Sequence, residues 1–373
     1  TPSLQLDPAG NPCIAWYDDT PGNREIFFAR WNGSSWVNAQ GTALNATNGN
    51  VSNNSGSSYT PSLQLDPAGN PCIAWYDNTP GYYEIFFTRW NGSSWVNAQG
   101  TALNATNGNV SNNSGGSWYP SLQLDPAGNP CIAWSDSTAG NYEIFFARWN
   151  GSSWVNAQGT ALNATNGNVS NNSGSSDTPS LQLDPAGNPC MAWYDNTPGN
   201  GEIFFARWNG SSWVNAQGAA LTGTNGNVSN NSGYSYQPSL QLDPAGNPCI
   251  AWNDYTPGNR EIFFARWNGS SWVNVQGAAL TSTNGNVSNN SGSSWYPSLQ
   301  LDPAGNPCIA WYDDTPGNRE IFFARWNGSS WVNAQGTALN ATNGNVSNNS
   351  GSSYTPSLQL DPAGNPCIAW YDN

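Results

Sequence analysis

Short runs of alternating apolar and polar residues, separated by clusters of turn-forming residues, extend along the whole chain. The run from Ser3 to Asp7 alternates with a period of two, which predicts a β-strand, and the Pro-Ala-Gly-Asn cluster after it predicts a turn. The four strands predicted at the start of the chain span 3–7, 13–18, 25–31 and 35–37. The polar segment 38–58 carries only Leu44 and Val51 as large apolar residues, and we expect an ordered connection there. No segment shows the 3.6-residue period of a helix.

The same pattern recurs at a fixed interval, so the chain is a tandem array. Its seven cysteines are spaced 59 residues apart, and six full repeats are followed by a fragment of 19 residues. The predicted repeats, which together form one domain over 1–373, span 1–59, 60–118, 119–177, 178–236, 237–295 and 296–354, with the fragment at 355–373.

Four antiparallel strands in each repeat predict an all-β chain that folds as a β-propeller, with one 59-residue blade for each repeat. The second strand carries apolar residues on both faces, Ile14 and Trp16 on one and Cys13 and Ala15 on the other. A blade packed between two neighbouring blades needs both faces apolar. Four short strands would give a separate two-layer domain too small a core.

The strand count leaves the number of blades open. The chain supplies 26 predicted strands, between the 24 of six four-stranded blades and the 28 of seven. We therefore expect a seven-bladed propeller with an incomplete last blade, or a segment of a longer propeller-type array. The hairpin at 355–373 would present an unpaired strand edge, which predicts end-to-end self-association through that segment.

The repeated segments LDPAGNPCIAWYD and EIFFARWNGSSW resemble the tandem propeller repeats of bacterial secreted and surface proteins, and the resemblance covers all six repeats. Residues 29–36 are also similar to the Asp-box turn of sialidase-type propellers. Gly33, Ser35 and Trp36 match that box, whereas Ala29 and Trp31 stand where the box has Ser and Asp. The resemblance implies the propeller fold and an extracellular or cell-surface location, and it implies no particular activity.

Composition and charge exclude several partners. The chain has a net charge of −14, and all nine of its basic residues are arginine. Nucleic-acid binding needs clustered cations, so we expect no nucleic-acid partner. No apolar run approaches the length of about 18 residues that spans a bilayer, so we expect no membrane insertion.

The acidic residues offer no asymmetric catalytic cluster. The chain has no histidine, and of its 23 acidic residues only Asp19, Asp177 and Asp314 fall outside repeated positions. Glycoside hydrolysis generally needs two carboxyl groups set apart from the scaffold. The three converging arginines and the Tyr–Glu pair of sialidases cannot be assigned either. We therefore predict no catalytic residues, no enzymatic activity and no cofactor.

The carboxylates repeated in every unit have a structural interpretation. We expect Asp18, Glu25 and Arg30 to take part in a partly buried carboxylate–guanidinium network that joins the blades. Calcium at Asp18, Asp19 and Glu25 is an alternative, because hard cations bind clustered carboxylates, but the spacing matches no known calcium loop. We predict no metal site.

The cysteines occupy one equivalent position in every repeat. A disulfide needs Cα atoms closer than about 7 Å, whereas packed sheets stand about 10 Å apart. We therefore predict seven free, buried and poorly reactive thiols.

The repeats differ mainly at positions 1, 17, 19, 23, 24, 57 and 59 of the unit, where Tyr, Trp, Arg and Asp occur. Such residues are typical of a binding face, and the alternative is a solvated loop without a role. The residues predicted to bind ligand are Tyr17, Arg24, Tyr59, Tyr83, Trp118, Tyr142, Tyr236, Arg260, Trp295, Arg319 and Tyr354.

Two function classes follow from these observations. The first is a non-enzymatic extracellular scaffold that binds surface glycans or other surface ligands multivalently, as a lectin does. The alternative is a self-associating filament or surface-layer component. In a host that glycosylates proteins, N-glycosylation is expected at the sequons of the first repeat, and elsewhere these asparagines would only form turns. These sequons begin at Asn32, Asn45, Asn50 and Asn53.

Overall fold

The computed structural model describes residues 1–373, in which β-strands and turns are present and no residue is helical. The predicted fold class is confirmed: the chain is an all-β propeller of six four-stranded blades, with a partial seventh sheet of two strands. It therefore contains no helix long and apolar enough to cross a membrane.

The chain divides into two compact units. The first consists of Thr1–Asn171 and Ser176–Leu183, and the second of Asn172–Ser175 and Asp184–Asn373. The strands of the first unit are β1 (Ser3–Leu6), β2 (Pro12–Asp18), β3 (Glu25–Trp31), β4 (Trp36–Val37), β5 (Ser58–Leu65), β6 (Pro71–Asp77), β7 (Glu84–Trp90), β8 (Trp95–Val96), β9 (Ser117–Leu124), β10 (Pro130–Asp136), β11 (Glu143–Trp149), β12 (Trp154–Val155) and β13 (Ser176–Leu183). The strands of the second are β14 (Pro189–Asp195), β15 (Glu202–Trp208), β16 (Trp213–Val214), β17 (Ser235–Leu242), β18 (Pro248–Asp254), β19 (Glu261–Trp267), β20 (Trp272–Val273), β21 (Ser294–Leu301), β22 (Pro307–Asp313), β23 (Glu320–Trp326), β24 (Trp331–Val332), β25 (Ser353–Leu360) and β26 (Pro366–Asp372).

Each blade is an antiparallel meander in which consecutive strands pair. The turn between β1 and β2 is built by Asp7, whose Oδ1 accepts hydrogen bonds from the amides of Ala9 at 2.9 Å and Asn11 at 2.8 Å. Gly10 in this turn has a φ of +83°, a left-handed conformation that glycine adopts without steric cost. The predicted Pro-Ala-Gly-Asn turn is therefore confirmed.

The first strand of the second blade starts before the predicted repeat boundary. β5 begins at Ser58, inside the segment that the sequence assigned to a connection. Its pairing with β6 shifts register between Tyr59 and Ser62, and Thr60 there has a φ of +47°. This is a β-bulge, which redirects the side chain at position 59 of the repeat.

Apolar side chains on both faces of each sheet form the core. In the first unit, Cys72, Ala74 and Phe87 of the second blade pack against Ile132 and Trp134 of the third, and each of these side chains is at most 2% exposed. The expectation that each strand is apolar on both faces is confirmed.

The polar segment 38–58 is held against its own blade. Ala43 and Asn50 form isolated bridges with Val37 and Phe27, and the amide of Val51 donates to the carbonyl of Ile26 at 2.7 Å. Val51 is only 4% exposed. The segment therefore serves as the ordered connection that its sequence predicted.

The carboxylates that join neighbouring blades are bound by amides, hydroxyls and indoles. Asp77 accepts hydrogen bonds from Asn54 Nδ2 at 2.7 Å, Ser58 Oγ at 2.6 Å and Trp75 Nε1 at 3.2 Å. Asn54 also donates its amide to Glu25 at 3.1 Å, so one asparagine links the carboxylates of two blades.

The predicted carboxylate–guanidinium network was therefore wrong. Arg30 donates to the carbonyl of Ala39 at 3.2 Å. Glu25 and Arg30 lie near opposite ends of β3, about 17 Å apart at the rise of a strand, which is too far for an ion pair. Without a nearby guanidinium group, the repeated glutamate is affected mainly by burial. Burial raises the pKa of Glu84, the equivalent of Glu25 in the second blade, to about 7.

All seven cysteines are free, as predicted, and six of them are buried. The exception is Cys367 in β26, which is only partly buried because the partial seventh sheet lacks a third strand. Poor thiol reactivity remains a prediction.

Candidate ligand-binding sites

A backbone hydrogen bond places two of the variable positions side by side in every repeat. The amide of Ser58 donates to the carbonyl of Arg24 at 2.7 Å, and Ser294 donates in the same way to Arg260 at 2.7 Å. The residue after each of these serines occupies position 59 of its repeat. Positions 24 and 59, which are 35 residues apart, therefore become neighbours.

In the first compact unit, this arrangement creates a continuous aromatic row. The row consists of Tyr17, Tyr59, Tyr76, Tyr83, Trp118 and Tyr142. Successive ring centroids along it are 5.7, 5.2, 5.3, 6.3 and 5.2 Å apart. Such distances are typical of direct contact between aromatic rings, so each ring supports the next.

Arg24 extends the row at one end. Its guanidinium carbon lies 5.0 Å from the ring centroid of Tyr59 and 5.8 Å from that of Tyr17. Its Nη1 also donates to the Tyr59 hydroxyl at 2.9 Å, and this hydrogen bond is the main reason why the pKa of Arg24 is raised. The guanidinium is fixed in place and remains exposed.

A cleft of about 460 Å³ opens beside the middle of the row. We call it the tyrosine cleft. Its principal lining residues are Asn78, Tyr82, Tyr83, Ser114, Trp118 and Ser137. Tyr82 is 63% exposed, and burial raises the pKa of the Tyr83 phenol, which therefore remains a neutral hydrogen-bond donor. The cleft thus combines aromatic faces with amide and hydroxyl groups.

Gly116 determines how Trp118 lies in this cleft. A Cβ atom at Gly116 would stand 2.2 Å from Cη2 of the Trp118 ring. The equivalent position carries serine or tyrosine in the other repeats, so only this repeat lets the indole lie over the backbone. The single glycine therefore creates a site that the array does not repeat.

A second cluster, the arginine–tryptophan site, lies in the second compact unit. The guanidinium carbons of Arg260 and Arg319 lie 5.9 and 5.5 Å from the ring centroid of Trp295. Trp295 in turn stacks on Tyr312, its partner across β21 and β22, with centroids 5.1 Å apart. Arg319 Nη1 also donates to the Tyr354 hydroxyl at 3.2 Å. Burial raises the pKa of Tyr312 to about 12, so its phenol is neutral.

Tyr236 belongs to a smaller stack in the same unit. Its ring lies 4.9 Å from Tyr194 and 6.0 Å from Tyr234, measured between centroids. A Cβ atom at Gly201 would stand 2.1 Å from Cε2 of Tyr194, so glycine at position 24 makes room for this ring.

Asp177 has a different environment from its equivalents. Its Oδ1 accepts from Ser135 Oγ at 2.6 Å and from the amide of Thr178 at 2.8 Å, and burial raises its pKa. Serine and aspartate here replace the two aromatic residues that meet at the corresponding place in the first repeat, Tyr17 and Tyr59. The pair therefore interrupts the aromatic surface after Tyr142.

The residues predicted to bind ligand thus fall into three groups. The first unit brings together six of them, which are five members of the aromatic row and Arg24. In the second unit, Tyr236 lies in its own stack, and the remaining four lie around and include Trp295. Their role in binding remains a prediction. Eight further aromatic residues complete these groups. They were not predicted to bind ligand, although all lie at positions that vary between the repeats. These are Tyr76, Tyr82, Tyr119, Tyr194, Tyr234, Tyr296, Tyr312 and Tyr371.

The sequon asparagines act as turn formers in the structure. Asn32 Oδ1 accepts from the amide of Ser34 at 3.0 Å, and Asn45 Oδ1 accepts from that of Thr47 at 2.9 Å. Their glycosylation, and that of Asn50 and Asn53, remains a prediction. The structure contains no group of three or more His, Cys, Asp or Glu side chains that could hold a metal ion.

Comparison with known proteins adds information about the fold alone. No protein-family model and no curated protein matches the chain. It is similar to the polysaccharide lyase Uly1, with a TM-score of 0.50 and 10% identity over 84% of this chain and 74% of that chain. A protein of unknown function from Dyadobacter fermentans DSM 18053 has a TM-score of 0.49 and 13% identity, over 86% of this chain and 92% of that chain. An endo-1,5-alpha-L-arabinanase from Thermotoga petrophila RKU-1 has a TM-score of 0.40 and 11% identity, over 89% of this chain and 93% of that chain.

These structures correct the function predicted from the sequence. The prediction of a non-enzymatic, lectin-like scaffold, with a filament as its alternative, was wrong, because a polysaccharide lyase shares the fold at a TM-score of 0.50. Near-identical blades do not distinguish a scaffold from a glycan-processing enzyme, since the variable loops of a propeller carry its site. At 10–14% identity, the fold does not establish enzymatic activity either. The comparisons therefore show a tandem-repeat β-propeller whose structural neighbours are propeller proteins.

Proposed function

We propose that the chain recognises saccharides and that the tyrosine cleft holds one sugar ring. The observation that carries the proposal is the pairing of Tyr83 and Trp118, 6.3 Å apart between centroids, beside the polar side chains of Asn78 and Ser137. The axial C–H groups of a pyranose pack on aromatic faces, while its hydroxyls need hydrogen-bond partners close by. The cleft volume of about 460 Å³ lies in the range usual for small-ligand sites.

The remainder of the aromatic row indicates the direction in which a longer ligand would extend from the cleft. Tyr59 and Tyr76 lie on one side of the cleft residues and Tyr142 on the other, all in unbroken ring contact. An oligosaccharide that extends beyond the cleft would therefore meet further aromatic faces. We expect affinity to rise with chain length until these faces are covered.

The proposal is tested by titration calorimetry with neutral hexasaccharides from arabinan, xylan, cellulose and mannan. We expect Trp118→Ala to weaken binding of the best ligand at least about tenfold, because the indole supplies the largest apolar face of the cleft. The matched control is Tyr255→Ala, which removes another exposed aromatic side chain, 50% exposed, from outside the cleft. Unchanged affinity in Trp118→Ala would rule out the cleft as the site.

The residues of the cleft bear on whether a bound glycan is cleaved there. They supply aromatic, amide and hydroxyl groups and no carboxylate, whereas hydrolysis of a glycosidic bond generally uses two carboxyl groups. Hydrolysis of a glycan bound there would therefore need carboxyl groups from outside the cleft. Release of reducing ends from the best-binding polysaccharide would show that the chain processes the glycan as well as binds it.

An extracellular or cell-surface location belongs to the same proposal. Polymeric glycans of the kind that an aromatic row would bind are abundant outside cells. Immunodetection of the protein in culture medium and on intact cells would test this part of the proposal.

A further inference from the structure

We infer that the arginine–tryptophan site is a separate subsite for a sugar ring that carries an anionic group, a carboxylate or a sulfate. Arg260, Trp295 and Arg319 all lie in the second compact unit, whereas the tyrosine cleft lies in the first. The inference shares with the proposed function only the ligand class, because the chemistry of the two sites differs.

Two cations share one aromatic ring in this site. The guanidinium groups of Arg260 and Arg319 both lie within 6 Å of the Trp295 centroid, and both side chains are exposed. Like charges held near the same indole repel each other, and an anion bound between them would relieve that repulsion.

Most donors of the two guanidinium groups are unused. The guanidinium of Arg319 donates one hydrogen bond, to the Tyr354 hydroxyl, and the guanidinium of Arg260 donates none within the chain. A guanidinium group carries five N–H donors in a planar fork that matches carboxylate and sulfate oxygens. The half-buried carboxylate of Asp314 acts on Arg319 from a distance, as one of several small contributions that raise its pKa.

The distribution of arginines sets this place apart. Six of the nine repeat position 30 and are structural, as when Arg266 donates to the carbonyl of Val275 at 3.1 Å. The other three all occupy position 24, beside the variable aromatic residues. Only the fifth and sixth repeats carry arginine there in succession, which brings Arg260 and Arg319 to one ring, whereas Arg24 in the first repeat stands alone.

The test compares three probes by titration calorimetry on the full chain: tetragalacturonate, its fully methyl-esterified form, and a chondroitin sulfate tetrasaccharide. The ester has the same rings as tetragalacturonate and lacks the charge. We expect an anionic probe to bind at least about tenfold more tightly than the ester, with a preference that weakens as salt increases. A preference for the sulfated probe alone would support the site with sulfate as the anionic group.

The double variant Arg260→Gln plus Arg319→Gln should lose that preference and bind acid and ester alike. Arg266→Gln is the matched control, because it removes one positive charge from the same repeat at a distant position. Equal binding of acid and ester by the unmodified chain, or a preference that survives in the double variant, would overturn the inference. The neutral hexasaccharides report on the tyrosine cleft, so failure of one proposal is distinguishable from failure of the other.

Discussion

Burial holds the cysteine thiols in their neutral form. It raises the pKa of Cys13, Cys72, Cys131, Cys190, Cys249 and Cys308 to about 12. At pH 8, a thiol with that pKa is ionised in only about one molecule in 10,000, and the thiolate is the reactive form. Cys367 is more exposed than the other six cysteines, although its partial burial still raises the pKa of its thiol.

We predict that one thiol reacts with Ellman's reagent in the folded chain and that all seven react after denaturation. Cys367 should account for the native signal, because it is the only cysteine that is partly accessible. The variant Cys367→Ser should remove that signal and leave six thiols in denaturant. Rapid native labelling of two or more thiols would contradict the prediction.

The sequence predicted the strands well because each is bounded by residues whose conformation is restricted locally. Pro12, Gly10 and Gly33 set the ends of the hairpins, and the observed strands differ from the predicted ones by about one residue. The entry strand was the exception. Its bulge has positive φ at Thr60 and Tyr119, where neither residue type favours that conformation, so no local signal indicated it.

The sites were only partly predictable for a related reason. Variation between repeats identified positions 24 and 59, but their proximity depends on the hydrogen bond between Ser58 and Arg24, which joins neighbouring blades. The carboxylate partners were missed because Asn54 and Ser58 lie in a segment whose composition indicates only turns. Contacts made through tertiary structure leave no local pattern in the sequence.

Strand β9, which contains Trp118, gives a second prediction. We predict that Gly116→Ser, just before this strand, removes the tyrosine cleft with little effect on stability. The serine Cβ would displace the indole, whereas the fifth repeat already combines serine at this position with Trp295. Affinity for the neutral hexasaccharide should fall about tenfold, while the melting temperature should change by no more than about 3 °C. Ser175→Gly, the reverse change in the third repeat, serves as control and should alter neither. Full affinity in Gly116→Ser would show that the position of Trp118 is unimportant.

For the whole molecule, the partial seventh sheet is the least covered region. Trp370 in β26 is partly exposed, whereas its equivalent Trp75 is 1% exposed, and Tyr371 is 50% exposed. β26 pairs with β25 on one side only. An edge of this kind accepts strands from other chains.

We predict that the 373-residue chain self-associates through 355–373 in a concentration-dependent manner, as measured by sedimentation velocity. Ala369→Lys should shift the chain toward monomer, because a charge on an edge strand opposes pairing. Ala363→Lys adds the same charge to an exposed turn of the same hairpin and should leave association unchanged. A strict monomer at high protein concentration would contradict this prediction.

The hydrogen bond from position 58 to position 24 has a consequence for how such an array changes over time. In every repeat it brings one pair of side chains together at the equivalent position, for example Arg24 with Tyr59 and Tyr83 with Trp118. The length of this backbone hydrogen bond stays at 2.7–2.8 Å throughout. Because the repeats share one length, unequal recombination between them would keep the blades in frame and bring new pairs next to each other. Ligand preference could then change by shuffling existing repeats, without any new substitution in the framework.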